Sequence, residues 1–213
     1  MKILEIVPLS LQGVLVIRFQ RFQDERGYFT EHFRQEDFDS IAGHLGLEKV
    51  KFLQANESRS QAKVIRGLHF QWNPYMGKLV RCTSGRMVDL ALDLRRASGS
   101  LGQIILYDMP YHPEATFQEW IWLPPGFAHG NYYTQASTIE YFCTGQWNPD
   151  CEAGISPLAE DILWDLADPK LKAEFDSLVN ESPILSAKDK GGLSLRAWLE
   201  DPRSQKVFGK DFK

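Results

Sequence analysis

The sequence predicts a mainly β fold, a sandwich or barrel of short strands with helices only at its edges. Three observations carry that reading. Apolar and polar residues alternate at period two through the middle of the chain, turn-forming stretches interrupt the alternation at short intervals, and helical periodicity is confined to the flanks. The 213 residues are read as one domain, with a helical C-terminal flank from about residue 165.

Taken in order, the first alternating run covers residues 14–19, and a helical spacing of Phe38, Ile41 and Leu45 follows it. Strands are then expected at 64–71 and 79–83, with Ser84 and Gly85 as a turn. The clearest strand sets Val88, Leu90, Leu92 and Leu94 against Asp89, Ala91 and Asp93, giving it two chemically different faces. Turn residues at 98–102 and 124–126 bracket further strands at 103–107 and 117–123, and a last run covers 138–144. Leu171, Phe175, Leu178 and Val179 then recur at helical spacing. Asp168 is placed to cap that helix and Pro169 to open it.

Composition removes several functions. Lys and Arg number 24 against 28 Asp and Glu, a net charge of −4, which argues against a surface built for nucleic acid or an anionic membrane. An anionic ligand must then be met by a local basic cluster. No apolar run reaches membrane-spanning length, and Glu5, Pro8 and Gln12 interrupt the apolar opening, which makes it a poor signal peptide. Cys82, Cys143 and Cys151 are odd in number and form no C-x-x-C pair, so neither a disulfide framework nor a zinc ribbon is read from them. A reducing cytoplasm is the expected location.

Polar residues on otherwise apolar strands mark where chemistry would sit: Gln54, Asn56, Arg66, His69, Lys78, Arg81, Asp89, Asp93, His129, Glu140 and Tyr141. Any one of them could be a satisfied core group or part of a solvated face; their density along neighbouring strands is what points to a site. A metal centre is not expected, since no two histidines stand two apart on a strand with a carboxylate behind them. There is no G-x-S-x-G elbow, and Gly77–Leu79 lacks the other residues of a phosphate-binding loop. General acid/base chemistry remains, with His69 as base, Tyr141 as acid, and Arg26, Arg66 and Lys78 as anion contacts.

Seven segments occur in an order that resembles the dTDP-4-dehydrorhamnose 3,5-epimerase family: DERGYFTEHF (24–33), Q-x-N-x-S (54–58), IRGLHFQ (65–71), GKLVR (77–81), VDLALDLRRAS (88–98), LPPGFAHG (123–130) and LSAKD (185–189). The resemblance runs from about residue 10 to 195. It implies a cupin-like antiparallel β-barrel (jelly roll) and a homodimer whose N-terminal strands are shared between subunits. It also implies that no metal and no cofactor are used. The expected activity is epimerisation beside the 4-keto group of a nucleotide-diphosphate 4-keto-6-deoxyhexose, at C3, C5 or both. The other class of function is a barrel that binds a nucleotide sugar without catalysis, as a sensor or scaffold.

By the same resemblance His69 is the base, Asp189 orients it, and Tyr141 supplies the proton from the opposite face. Contacts to nucleotide, diphosphate and sugar fall at Arg26, Phe29, Glu31, Gln54, Asn56, Arg66, Lys78 and His129. These residue types suit the reaction. A C–H beside a ketone ionises only if a base takes the proton while donors steady the enolate oxygen, and inversion needs removal on one face with delivery on the other. Arg66 and His69 lie three apart, so plain alternation turns them to opposite faces. A bulge at Gly67 would bring both to one site; otherwise Arg66 serves an exposed end of the ligand.

The chain departs from the family pattern in three places. Residues 144–148 read TGQWN, which leaves Trp147 alone of an aromatic pair that packs on the nucleobase. H-G-N stands at 129–131 in place of H-G-F, with one residue fewer before Tyr141. The segment from Trp164 to Leu185 is longer than expected.

Overall fold

The computed structural model describes residues 2–206. Strands β1 (Ile3–Pro8) and β2 (Leu15–Gln20) lead into a small hairpin, β3 (Phe22–Asp24) and β4 (Gly27–Phe29), and then the helix α1 (Gln35–Ser40). Eight longer strands follow: β5 (Gln54–Ser60), β6 (Ile65–Gln71), β7 (Lys78–Ser84), β8 (Arg86–Asp93), β9 (Ile104–Pro110), β10 (Phe117–Leu123), β11 (Phe127–Tyr132) and β12 (Ser137–Cys143). The short β13 (Glu152–Gly154) precedes the helices α2 (Pro169–Asn180), α3 (Ala187–Lys190), α4 (Leu195–Glu200) and α5 (Pro202–Lys206).

The strands form two antiparallel sheets, ordered β1-β2-β10-β7-β12-β5 and β13-β6-β11-β8-β9. Their facing sides enclose an apolar interior built from both, with Val16, Val80, Ala91, Ile121, Phe127 and Ile139 among its members. Each outer face has its own cover. α1 and the turns after it lay Phe38, Ile41 and Leu45 on Phe19, Trp120 and Trp122 of the six-stranded sheet. On the other side, Phe175 and Leu178 of α2 and Trp198 of α4 pack over Val88, Leu90, Leu92 and Tyr132.

This layering assigns the two faces of β8. The leucines lie outward beneath the C-terminal helices, while Asp89, Ala91 and Asp93 turn into the space between the sheets, and both faces are buried. The α2 cap is formed as expected: the Asp168 carboxylate accepts from the backbone N–H groups of Lys170 and Leu171, with Pro169 in the first turn. α1 is shorter than the apolar spacing predicts, since Ile41 and Leu45 reach the core from the turns that follow it. Strand β5, QANESRS, carries no large apolar residue. It forms by pairing along its length with β12 at the sheet edge.

Candidate active site

His69 reaches the interior through an irregularity in β6. Arg66 pairs with Asn131 and His69 with His129, so three steps along β6 match two along β11. The extra residue is a β-bulge at Gly67 and Leu68. Gly67 has φ +110°, and a Cβ there would stand 2.5 Å from the Gly130 Cα, so the two strands approach at a point only glycine permits. The bulge resolves the face problem posed by the sequence, because Arg66 and His69 line one cavity.

On one side His69 Nε2 lies 2.7 Å from Asp189 Oδ1. Asp189 is buried in the single turn of α3, where Ser186 Oγ accepts its backbone N–H. Burial alone would raise the Asp189 pKa, but hydrogen bonds with His69, Ser186 and the Gly67 backbone outweigh it and hold the carboxyl below the usual range. An ionised carboxylate only accepts, so Nε2 carries the ring proton and Nδ1 keeps the lone pair.

Tyr141 approaches from the opposite sheet, on β12 between Val80 of β7 and Asn56 of β5. Its hydroxyl has no hydrogen-bond partner among the described residues, and burial, with Cys143 nearby, pushes the phenol pKa up. His69, Lys78 and Tyr141 are shared by two adjoining lobes of one cavity, of about 300 and 230 Å³. The larger lobe is walled by Gln54, Asn56, Met76, Trp147, Glu152 and Lys188. The smaller is walled by Ser58, Arg66, His129, Asn131, Ile139 and Asp189.

Lys78 is partly buried in the cavity wall, and the desolvation lowers the pKa of its ammonium; Nζ donates a long 3.5 Å hydrogen bond to the His69 carbonyl. His129 Nε2 lies 2.7 Å from Asp89 Oδ2, forming a second and wholly buried imidazole–carboxyl pair. Burial pushes His129 down and Asp89 up, each away from its charged form. Gln54 Nε2 donates to Asn56 Oδ1, and Gln54 Oε1 accepts from the Trp147 backbone, tying the floor of the larger lobe to its exposed indole.

Nine of the predicted residues therefore meet around one cavity: His69, Tyr141, Asp189, Gln54, Asn56, Arg66, Lys78, His129 and Trp147. Arg26, Phe29 and Glu31 line neither lobe of their own chain. Arg26 lies at the tip of the β3–β4 hairpin paired with Asp24, Phe29 is 66% exposed, and Glu31 holds Arg34. Arg81 and Glu140 pair with each other on the outer face of the six-stranded sheet, where Arg81 also bonds Gln118 and His32. Asp93 serves structure, accepting from Arg95, Ser98 and Ser100.

Glu152, Lys188 and Asn131 line the cavity without having been singled out from the sequence, and Asp89, singled out there without a role, stands behind His129. Lys188 and Glu152 form an ion pair on the wall of the larger lobe. The signals were an acid alternating with leucines in β8 and a lysine beside Asp189 in the S-x-K-D segment. Among the described residues no group of three or more His, Cys, Asp or Glu side chains is placed to hold a metal ion.

The model of the dTDP-4-dehydrorhamnose 3,5-epimerase family matches residues 8–197. The Pseudomonas aeruginosa dTDP-4-dehydrorhamnose 3,5-epimerase is 36% identical over 185 residues, covering 86% of this chain and 92% of that protein. Among solved structures, the Legionella pneumophila 3,5-epimerase in complex with dTDP-4-keto-L-rhamnose superposes with a TM-score of 0.76 at 30% identity, covering 94% of this chain and 96% of that one. NovW, a 4-keto-6-deoxy sugar epimerase from the novobiocin gene cluster of Streptomyces spheroides, gives 0.73 at 26% identity, covering 92% and 89%. Matches of this length, on a cupin-like fold whose cavity joins an imidazole to a phenol, place the chain in the dTDP-4-dehydrorhamnose 3,5-epimerase family, as an isomerase of nucleotide-linked 4-keto-6-deoxy sugars in deoxysugar biosynthesis.

Proposed function

We propose that the chain inverts C3, C5 or both of a dTDP-linked 4-keto-6-deoxyhexose by proton abstraction and reprotonation, with His69 as base and Tyr141 as acid. One observation carries this reading: the two side chains come from opposite sheets and border the same two lobes. His69 Nδ1 takes the proton from the carbon beside the ketone, and the imidazolium that forms is met by the Asp189 carboxylate. The electron pair moves onto the C4 oxygen, giving an enolate that needs a donor. Lys78, whose amine lines both lobes and carries N–H donors, is the donor assigned to that oxygen. Tyr141, with an unengaged hydroxyl and a pKa raised by burial, protonates the carbon from the other face.

Trp147, beside Gln54, is the platform for the nucleobase, and the exposed Arg66 guanidinium is the contact for diphosphate. The assembly in this reading is a homodimer. Phe22, Tyr28 and Phe29 are large apolar residues left 49, 44 and 66% exposed on one hairpin, and Arg26, Phe29 and Glu31 serve the cavity of the partner subunit. A reducing cytoplasm suits the free Cys82, Cys143 and Cys151, and no helix of the described residues is long and apolar enough to cross a membrane.

Solvent exchange tests the reading. Incubated with dTDP-4-keto-6-deoxyglucose in heavy water, the protein is expected to place deuterium at C3, C5 or both, followed by NMR, and His69→Ala is expected to abolish it. Wild-type levels of exchange in His69→Ala would refute the assignment of the base.

A further inference from the structure

Two polar contacts lie beside the smaller lobe. Arg66 Nε donates to Ser60 Oγ at 2.8 Å, and Tyr133 Oη donates to Asn131 Oδ1 at 2.8 Å. Ser60, Tyr133 and Asn131 are 2, 0 and 3% exposed. The Tyr133 hydroxyl spends its proton on the Asn131 side-chain oxygen, since an amide oxygen only accepts. The Asn131 carbonyl is thereby fixed as the acceptor, and its amide nitrogen is the end that remains.

That nitrogen has no hydrogen-bond partner among the described residues, and Asn131 lines the lobe. The residue is buried but this nitrogen opens onto the lobe, so an oxygen of a ligand seated there can accept from it. Asn131 also shares the inward face of β11 with His129, two residues and roughly 6–7 Å away, so it stands next to the atoms that react.

We infer that Asn131 Nδ2 donates to an oxygen of the sugar ring substituents, making Asn131 a specificity-determining residue, and that Tyr133 is the positioning residue that aims it. The inference rests on the reading of this cavity as a nucleotide-sugar site. The acceptor is a sugar oxygen and not a phosphate oxygen because the amide is neutral and on a buried residue, whereas the cation of this lobe's rim, Arg66, is exposed. A hexose lacking the matching hydroxyl, or carrying it in the other configuration, leaves the amide unpaired and is disfavoured.

The test compares dTDP with dTDP-glucose by calorimetry, and turnover of dTDP-4-keto-6-deoxyglucose, in wild type and in Asn131→Asp, Asn131→Ala and Tyr133→Phe. Asn131→Asp keeps the shape and removes the donor. Loss of dTDP-glucose affinity and of kcat/KM by about ten- to a hundredfold in the Asn131 variants is expected, with dTDP affinity unchanged. Tyr133→Phe is expected to lose in the same direction by less, since the amide is present but no longer aimed. Equal weakening of dTDP and dTDP-glucose would move the contact to the diphosphate and overturn the inference. So would unchanged dTDP-glucose binding, including in a variant whose only change is a lower melting temperature. A wild-type protein inert toward the keto sugar would count against the epimerase reading alone, because the two binding titrations still decide the role of Asn131.

Discussion

Asp189 determines which nitrogen of His69 is basic, and that is a matter of a few ångströms of carboxylate placement. Asp189→Asn keeps the volume but can present an N–H to the ring, so the tautomer is no longer imposed; kcat is expected to fall about a hundredfold or more while nucleotide affinity holds. The acid stability follows the same pair. The folded-state pKa of Asp189 lies below its ordinary value of 3.8, so its contribution is fully present above that value and is lost as the pH falls through the folded one. Melting curves below pH 3.8 should therefore show wild type losing more stability than Asp189→Asn. At this scale His69, Tyr141 and Lys78 could be read from the sequence because they are polar groups on apolar strands within distinctive segments. Asp89 could be noticed but given no role, since an acid alternating with leucines also describes a solvated face. Only the cover of α2 and α4 shows that the leucines are outside and the acid inside.

The bulge in β6 is the element on which the site depends. With φ +110° and a Cβ that would meet the Gly130 Cα at 2.5 Å, Gly67→Ala must part β6 from β11 or straighten the strand. Either response turns His69 out of register with His129. The expected result is a stability loss of about 1–3 kcal/mol, seen as a lower melting temperature, together with a fall in kcat larger than that loss explains. Hydrophobic alternation found most strands that have an apolar face. It missed β5, whose inward side chains Gln54, Asn56 and Ser58 are polar because they line the cavity, and it overran α1, whose apolar stripe continues into irregular turns. The Asp168 cap of α2 was legible because an N-cap is a local chemical signal that needs no tertiary context.

At the scale of the whole molecule, the two sheets hold the cavity, and the proposed homodimer gives the exposed hairpin a role in the cavity of a partner subunit. If Arg26 works in the partner's cavity, Arg26→Ala and His69→Ala proteins, each inactive, should recover activity when co-expressed, because one cavity of the mixed dimer has both wild-type residues. No recovery, with a dimeric mass confirmed by light scattering, would place the hairpin outside the reaction. The order of the segments was legible in the sequence, but whether the hairpin serves a cavity was not, since a cavity of its own chain does not include it. The central claim is that His69 and Tyr141 act on opposite faces of one sugar ring, and the configuration at the exchanged carbon in Tyr141→Phe tests it most directly. Deuterium should still enter from heavy water, but with the starting configuration retained, because His69 returns the isotope to the face it came from. Deuterium entering with full inversion would contradict the account.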